Sequence, residues 1–189
     1  ARSAADAYSI DPKTLKVTRW TESETGGLDV TKNVEPQLVE VKSFDGLKVS
    51  GFLYRPDAAR FPGKRPLIVN VHGGPEAQSR PGFQGRSNYL LNELGVAIFY
   101  PNVRGSTGYG KKFLEAGNGE WGRKMQDDLT WGVKYLVAQG LADPKRIGIM
   151  GGSYGGYMTN WIAGAWPDGF KCLVTHAGIF DTRFMSYST

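Results

Sequence analysis

Cysteine is almost missing from this chain of 189 residues, and the single one present, Cys172, can form no disulfide within it. Set in the apolar run KCLVTH, it reads as a small hydrophobic residue packed in the interior. Long hydrophobic runs are also missing. None approaches the roughly 20 residues that a membrane helix needs, so no membrane partner is expected, and the polar start ARSAADAYSIDPKT has no signal-peptide core. Because the first residue is not Met, that start leaves the compartment open between cytoplasm and periplasm. A basic stripe is absent too: 23 Lys and Arg are interleaved with 18 Asp and Glu, and the densest spots, Lys64-Arg65 and Lys111-Lys112, are only pairs. The net charge of +5 therefore reads as a solvated surface rather than a nucleic-acid interface. Nucleotide signatures fail as well, since GSTGYG has the spacing G-x-x-G-x-G, no Walker lysine accompanies it, and G-x-G-x-x-G does not occur.

What the chain has in quantity is glycine, 26 residues, clustered in HGGP, RGSTGYG and MGGSYGGY, each just after an apolar run. Those runs, 67–71, 96–100, 146–150 and 172–176, are short and nearly continuous, as expected of strands covered on both faces by helices. Between them, MQDDLTWGVKYLVAQG carries Leu129, Val133, Leu136 and Val137 at helical spacing and stops at Gly140, before the turn ADPKR. Strands alternating with helices predict an α/β fold with a mostly parallel sheet, whose ligand crevice lies at the strands' carboxyl ends. Residues 1–35 follow another grammar: two short strands about an Asp11-Pro12 turn, then the loop ESETGGLDVTKN. From Glu35-Pro36 onward two further strands join near Asp45-Gly46, so a boundary is expected near residue 35, with a second unit over 36–189.

The sharpest motif is IGIMGGSYGGYMTN, in which Gly151-x-Ser153-x-Gly155 sits between a predicted strand and a predicted helix. This is the pattern and context of a nucleophile elbow. A strand that turns sharply into a helix forces the hinge residue into a strained backbone conformation, and flanking residues without a Cβ give the chain room to fold back. The serine hydroxyl then projects at the top of the sheet, beside the free N–H groups of a helix start. Acyl transfer needs two donors aimed at an oxyanion. The backbone amides of Tyr154 and of Gly74, in VHGGP, are the candidates. His72 stands in the wrong place in chain order for a base and is assigned a structural, loop-shaping role.

After Ser153 the chain offers Asp168, Asp181 and His176 as partners. Asp168 precedes the strand at 171–176 and so lies roughly 20 Å below the top of the sheet. Asp181 and His176 are near the top but in reversed order for this fold. No complete triad is readable.

VHGGP, NVRGSTGYG, DDLTWGVKYL and DPKRIGIMGGSYGGYMT, in this order and spacing, resemble the prolyl oligopeptidase family of serine peptidases, and GGSYGGYMT most resembles its acylaminoacyl-peptidase branch. The likeness covers about residues 36–189, and residues 1–35 resemble the last strands of the family's β-propeller and the linker that follows. It implies an α/β-hydrolase fold that acts on short peptides without cofactor or metal. It also places the triad's acid and base in later segments of the same protein, so that this piece alone is inactive. Ile179, Phe184 and Tyr187, in AGIFDTRFMSY, are implied to help line an apolar pocket for the residue before the cut. One departure is His72, where other branches carry a tyrosine that helps bind the oxyanion; this shifts the second donor to Gly74. A carboxylesterase, for which the same elbow would serve, and a non-catalytic interaction module remain alternatives, and the oligomeric state stays open.

Overall fold

The computed structural model describes residues 3–185. Two strands near the start, β1 (Tyr8–Ile10) and β2 (Val17–Arg19), pair antiparallel as a separate hairpin, with Tyr8 opposite Arg19 and Ile10 opposite Val17. Asp11 closes its turn, its carboxylate accepting from the backbone N–H groups of Lys13 and Thr14.

Six strands form the main sheet: β3 (Gln37–Lys42), β4 (Lys48–Tyr54), β5 (Arg65–Val71), β6 (Ala97–Asn102), β7 (Ala142–Gly152) and β8 (Cys172–His176). Their order across the sheet is β3-β4-β6-β5-β7-β8. The β3–β4 hairpin turns at Asp45-Gly46 and joins β6 antiparallel, whereas β5, β6, β7 and β8 are mutually parallel neighbours. Helices α1 (Asn88–Asn92), α2 (Lys111–Glu115), α3 (Lys124–Ala138) and α4 (Tyr154–Ala165) lie between strands of this sheet, and α5 (Thr182–Met185) follows β8. This mixed sheet with flanking helices fits the α/β alternation of runs and is consistent with the α/β-hydrolase-like fold that the resemblance implies.

The apolar spacing of α3 does what its period requires. Met125, Leu129, Val133 and Leu136 are buried in one core with Leu67, Val69 and Val71 of β5, Ile147 and Ile149 of β7, and Met158 and Ile162 of α4. A smaller cluster on the opposite face joins Tyr54, Leu91 and Ile98.

Three expectations need correction. ADPKR is not a turn outside the sheet: β7 begins at Ala142, pairs with Arg65, and reaches Ile147 opposite Leu67 through an irregular register that absorbs the extra residues. Cys172 is exposed rather than packed, because β8 ends the strand order and all five of its residues are exposed. Helices also cover the sheet unevenly. Over β5, β7 and β8 the face carrying Ile68, Gly148, Met150, Cys172 and Val174 is an open apolar groove of about 340 Å³.

Candidate active site

Ser153 sits at the junction of β7 and α4, with φ 54° and ψ −118°, a left-handed conformation that side chains seldom adopt. Such strain persists only when the surroundings fix it. Here the Ser153 N–H donates to the His176 carbonyl at 3.1 Å, and its carbonyl accepts from Tyr157 N–H at 3.0 Å, so the hinge is held at both ends. The side chain itself is exposed.

The glycines around it are required by space. A Cβ on Gly151 would overlap the Gly155 backbone, and one on Gly155 would overlap the Val71 carbonyl. A Cβ on Gly156 would come within 2.6 Å of Gly178 Cα. The helix therefore starts hard against the ends of β5 and β7. Tyr154, its first residue, has an N–H with no partner inside the helix, as all first-turn amides do. Its side chain points away: the ring is fully buried at 4.8 Å from the Trp121 ring, and its hydroxyl donates to Met125 Sδ at 3.3 Å. Burial pushes the Tyr154 phenol far above its ordinary value, so it stays protonated.

The loop after β5 lies beside the serine, since a Cβ on Gly73 would be 3.3 Å from Ser153 Cβ. Gly74 follows at φ 118°, before a cis peptide to Pro75. Its N–H belongs to the same peptide unit as the Gly73 carbonyl, and that carbonyl faces His72 Nδ1 at 2.7 Å. His72 Nε2 lies 3.0 Å from Ser106 Oγ, which in turn is 2.7 Å from the Val103 carbonyl. Ser106 has a single proton to share between Nε2 and Val103. Burial lowers the His72 pKa, against the opposing pull of the Gly73 carbonyl. The neutral ring is therefore assigned, with Nδ1–H donating to the Gly73 carbonyl and Nε2 facing the Ser106 hydroxyl, which donates to the Val103 carbonyl. Fixing a peptide's carbonyl fixes the direction of its N–H and polarises it as a donor. The loop-shaping role read for His72 has a concrete form here: it orients the amide of Gly74.

The loops after β5 and β6 are laced together elsewhere as well. Asn102 accepts from Ser79 N–H at 2.7 Å and donates to Ser79 carbonyl at 3.0 Å, and Thr107 N–H donates to Ala77 carbonyl at 2.9 Å. Arg104, 3% exposed, binds Asp128 through Nε at 2.9 Å and Nη2 at 2.8 Å, and Asp45 through both terminal nitrogens at 2.8 and 3.0 Å. Burial opposes the Arg104 charge, but the two carboxylates outweigh it and raise its pKa, while the guanidinium holds Asp45 below the ordinary carboxylate range. Sequence reasoning missed Asn102, Arg104, Ser106 and Asp128. NVRGSTGYG and DDLTWGVKYL contain all four, but nothing in their spacing reveals that distant segments such as Ser43, Asp45 and His72 converge on them.

The other candidates fall as follows. Asp168 lines a cavity with Pro144 and Ile147 at the start of β7, the end of the sheet remote from Ser153. Asp181 is at the top but is engaged by Arg183, at 2.6 Å. His176 ends β8, with Nδ1 3.8 Å from where a Gly152 Cβ would stand. Among the described residues no ring nitrogen is hydrogen-bonded to Ser153 Oγ. Ile179 and Phe184 come together, with Phe180, Asp181 and Met185, around a cavity of about 410 Å³ beyond β8. Tyr187 lies outside the described residues. Those residues contain no group of three or more His, Cys, Asp or Glu able to hold a metal ion, and no helix long and apolar enough to cross a membrane.

A strained serine between interlocking glycines, at the carboxyl ends of the parallel strands, is the arrangement of a nucleophile elbow on an α/β-hydrolase-like fold. Comparison with known proteins narrows it. The profile of the prolyl oligopeptidase family matches residues 81–189, and the chain belongs to that family of serine peptidases. It is 43% identical over 146 residues to dipeptidyl aminopeptidase BIII of Pseudoxanthomonas mexicana, covering 74% of this chain and 21% of that protein. A Mycobacterium tuberculosis puromycin-hydrolysing peptidase superposes with a TM-score of 0.88 at 27% identity, over 98% of this chain and 29% of its own. The Pyrococcus horikoshii acylaminoacyl peptidase superposes at 0.73 with 34% identity, over 87% and 26%. The chain thus spans less than a third of the length of these relatives, which come from several branches of the family.

Proposed function

We propose that the protein containing this chain is a serine peptidase that cleaves short or acylated peptides, with Ser153 as nucleophile and the amides of Tyr154 and Gly74 as oxyanion donors. The reading rests above all on the exposed Ser153 held at φ 54° between Gly151 and Gly155. The acid and base of the triad come from chain beyond Thr189, as the family resemblance implies. Ile179 and Phe184 contribute to the pocket for the residue before the cut. The β1–β2 hairpin is the end of a propeller that restricts access to the site.

Without a base, Ser153 keeps its proton, so residues 1–189 alone react with a fluorophosphonate very slowly while the full-length protein reacts quickly. Ser153→Ala in the full-length protein abolishes labelling and lowers turnover by about 10⁶-fold. Rapid labelling that survives Ser153→Ala would overturn the assignment. Matched substrates with acetylated and free amino termini decide between acylaminoacyl and dipeptidyl specificity. A short ester cleaved far faster than any peptide would favour a carboxylesterase.

A further inference from the structure

The strand order places two cavities on opposite flanks of Ser153. The Ile179 and Phe184 cavity follows β8, on one side of β7. On the other side, between the loops that follow β5 and β6, lies a second cavity of about 170 Å³, lined by Pro75, Glu76, Gly105, Leu114, Asn118 and Trp121. Its rim begins directly after the Gly74 donor. With the residue before the cut on the β8 side, this second cavity faces the part of the substrate that leaves.

Its chemistry is specific. Trp121 and Leu114 give apolar walls, and the Trp121 ring is fixed at 4.8 Å from Tyr154 and 5.3 Å from Tyr157. The floor is backbone, since a Cβ on Gly117 would come within 2.6 Å of Gly105 Cα. The nearby carboxylates Glu115 and Glu120 are engaged by Lys111 and Lys124, at 3.6 and 3.1 Å. Glu76 is different. It is exposed, and among the described residues no cation or side-chain donor engages it. The cavity's volume is the share of roughly six waters, the scale of one lysine or arginine side chain. An aliphatic stem along apolar walls, a cation near an indole and a carboxylate at the rim are what such a side chain requires. The Thr107 N–H to Ala77 carbonyl bond holds the rim in place, so little ordering is needed on binding.

We infer that this cavity is a subsite for a basic side chain on the leaving portion of the substrate, with Glu76 as the residue that sets the preference. The inference rests on the peptidase reading above. Its test uses the full-length protein and two peptides identical up to the cut, each supplied with a free and with an acetylated amino terminus, with lysine or norleucine directly after the cut. The kcat/KM ratio should favour lysine by about 5- to 30-fold at low salt and shrink as salt screens the pair. Glu76→Gln should bring the ratio close to one, and Glu76→Lys should invert it. Trp121→Phe, which preserves an aromatic wall, should lower the ratio only partly. A lysine preference that survives Glu76→Gln, or one that appears only when the lysine precedes the cut, would overturn the subsite. If both peptides are cleaved at equal rates, the subsite fails while the peptidase reading stands. If neither is cleaved, the peptidase reading fails and takes the subsite with it.

Discussion

The two halves of the sheet's upper rim are built differently. Above β5, β6 and β7 the loops are tied by side-chain and backbone bonds from Asn102, Arg104, Ser106 and Thr107, and Ser153 is pinned at both ends. Beyond β7 the strand β8 is exposed along its whole length, and the segment after it presents Phe180 and Phe184 to solvent at 79% and 71%. The proposed nucleophile and oxyanion donors thus belong to a tightly bonded region, whereas the residues proposed for the pocket have fewer bonds among the described residues. Oxyanion donors act only when preorganised, and the bonds above β5, β6 and β7 supply that order to the donors proposed there.

The strongest way to break this contrast is to spoil the interlock of β5, β7 and α4. Gly155→Ala should cost more than about 4 kcal/mol of stability or prevent folding, because the new methyl overlaps the Val71 carbonyl, and the backbone of β5 has no room to yield. Gly164 in the same helix is the control, since a Cβ there meets nothing within 4 Å. Gly164→Ala should be neutral or stabilise by about 0.5–1 kcal/mol. Denaturant unfolding of both variants in the full-length protein separates the steric account from a general glycine effect.

Next in size is the ion cluster beneath the β6 loop. Arg104→Met leaves the fully buried Asp128 carboxylate without its main partner, and losing one member of a buried pair costs about 3–5 kcal/mol. If the melting transition moved by no more than that of an exposed pair such as Lys48–Glu40, the loop would not depend on this cluster.

How much of this was legible beforehand divides along the same line. The strands, α3 and the elbow follow local rules of period 2, period 3.6 and Cβ-free turns, and these operate within a few residues of sequence. The bonds that make the rim rigid join residues far apart, His72 to Ser106 and Asp45 to Arg104, and no local pattern encodes them. Cys172 departs from its expected burial for a related reason. Its apolar neighbours describe a strand, but burial depends on what lies beside that strand, and β8 has a partner on one side alone.

The role of His72 sharpens the comparison at the level of catalysis. Removing its ring frees the Gly73–Gly74 peptide to rotate, so His72→Ala should lower kcat by about 100- to 1,000-fold, as the loss of one oxyanion donor does, with little change in KM. A pH measurement distinguishes this from simple unfolding. Burial lowers the His72 pKa below its unfolded value of about 6.5. Its neutral form therefore contributes stability that is fully present above that pH and is lost as pH falls through the folded-state value. The variant should lose this part of the acid sensitivity. Identical pH dependence of unfolding in wild type and variant would show that the ring is not held in neutral form.

The smallest expected effect concerns Tyr154, and its smallness is the informative part. The side chain is fully buried and packs against Trp121 and Tyr157, while its hydroxyl reaches only Met125 Sδ at 3.3 Å, a weak acceptor. The proposed donor is the backbone N–H, which Tyr154→Phe leaves untouched. That substitution removes one hydroxyl from a site with no stronger partner, so stability should change by less than about 1 kcal/mol and kcat by less than threefold. Trp121→Ala removes the ring that supports Tyr154 and should cost more stability, about 3 kcal/mol, with kcat falling only as far as the helix start shifts. If Tyr154→Phe instead abolished turnover in a folded protein, the phenol rather than the amide would be the oxyanion donor, and the side chain would have to leave its buried position to reach the substrate.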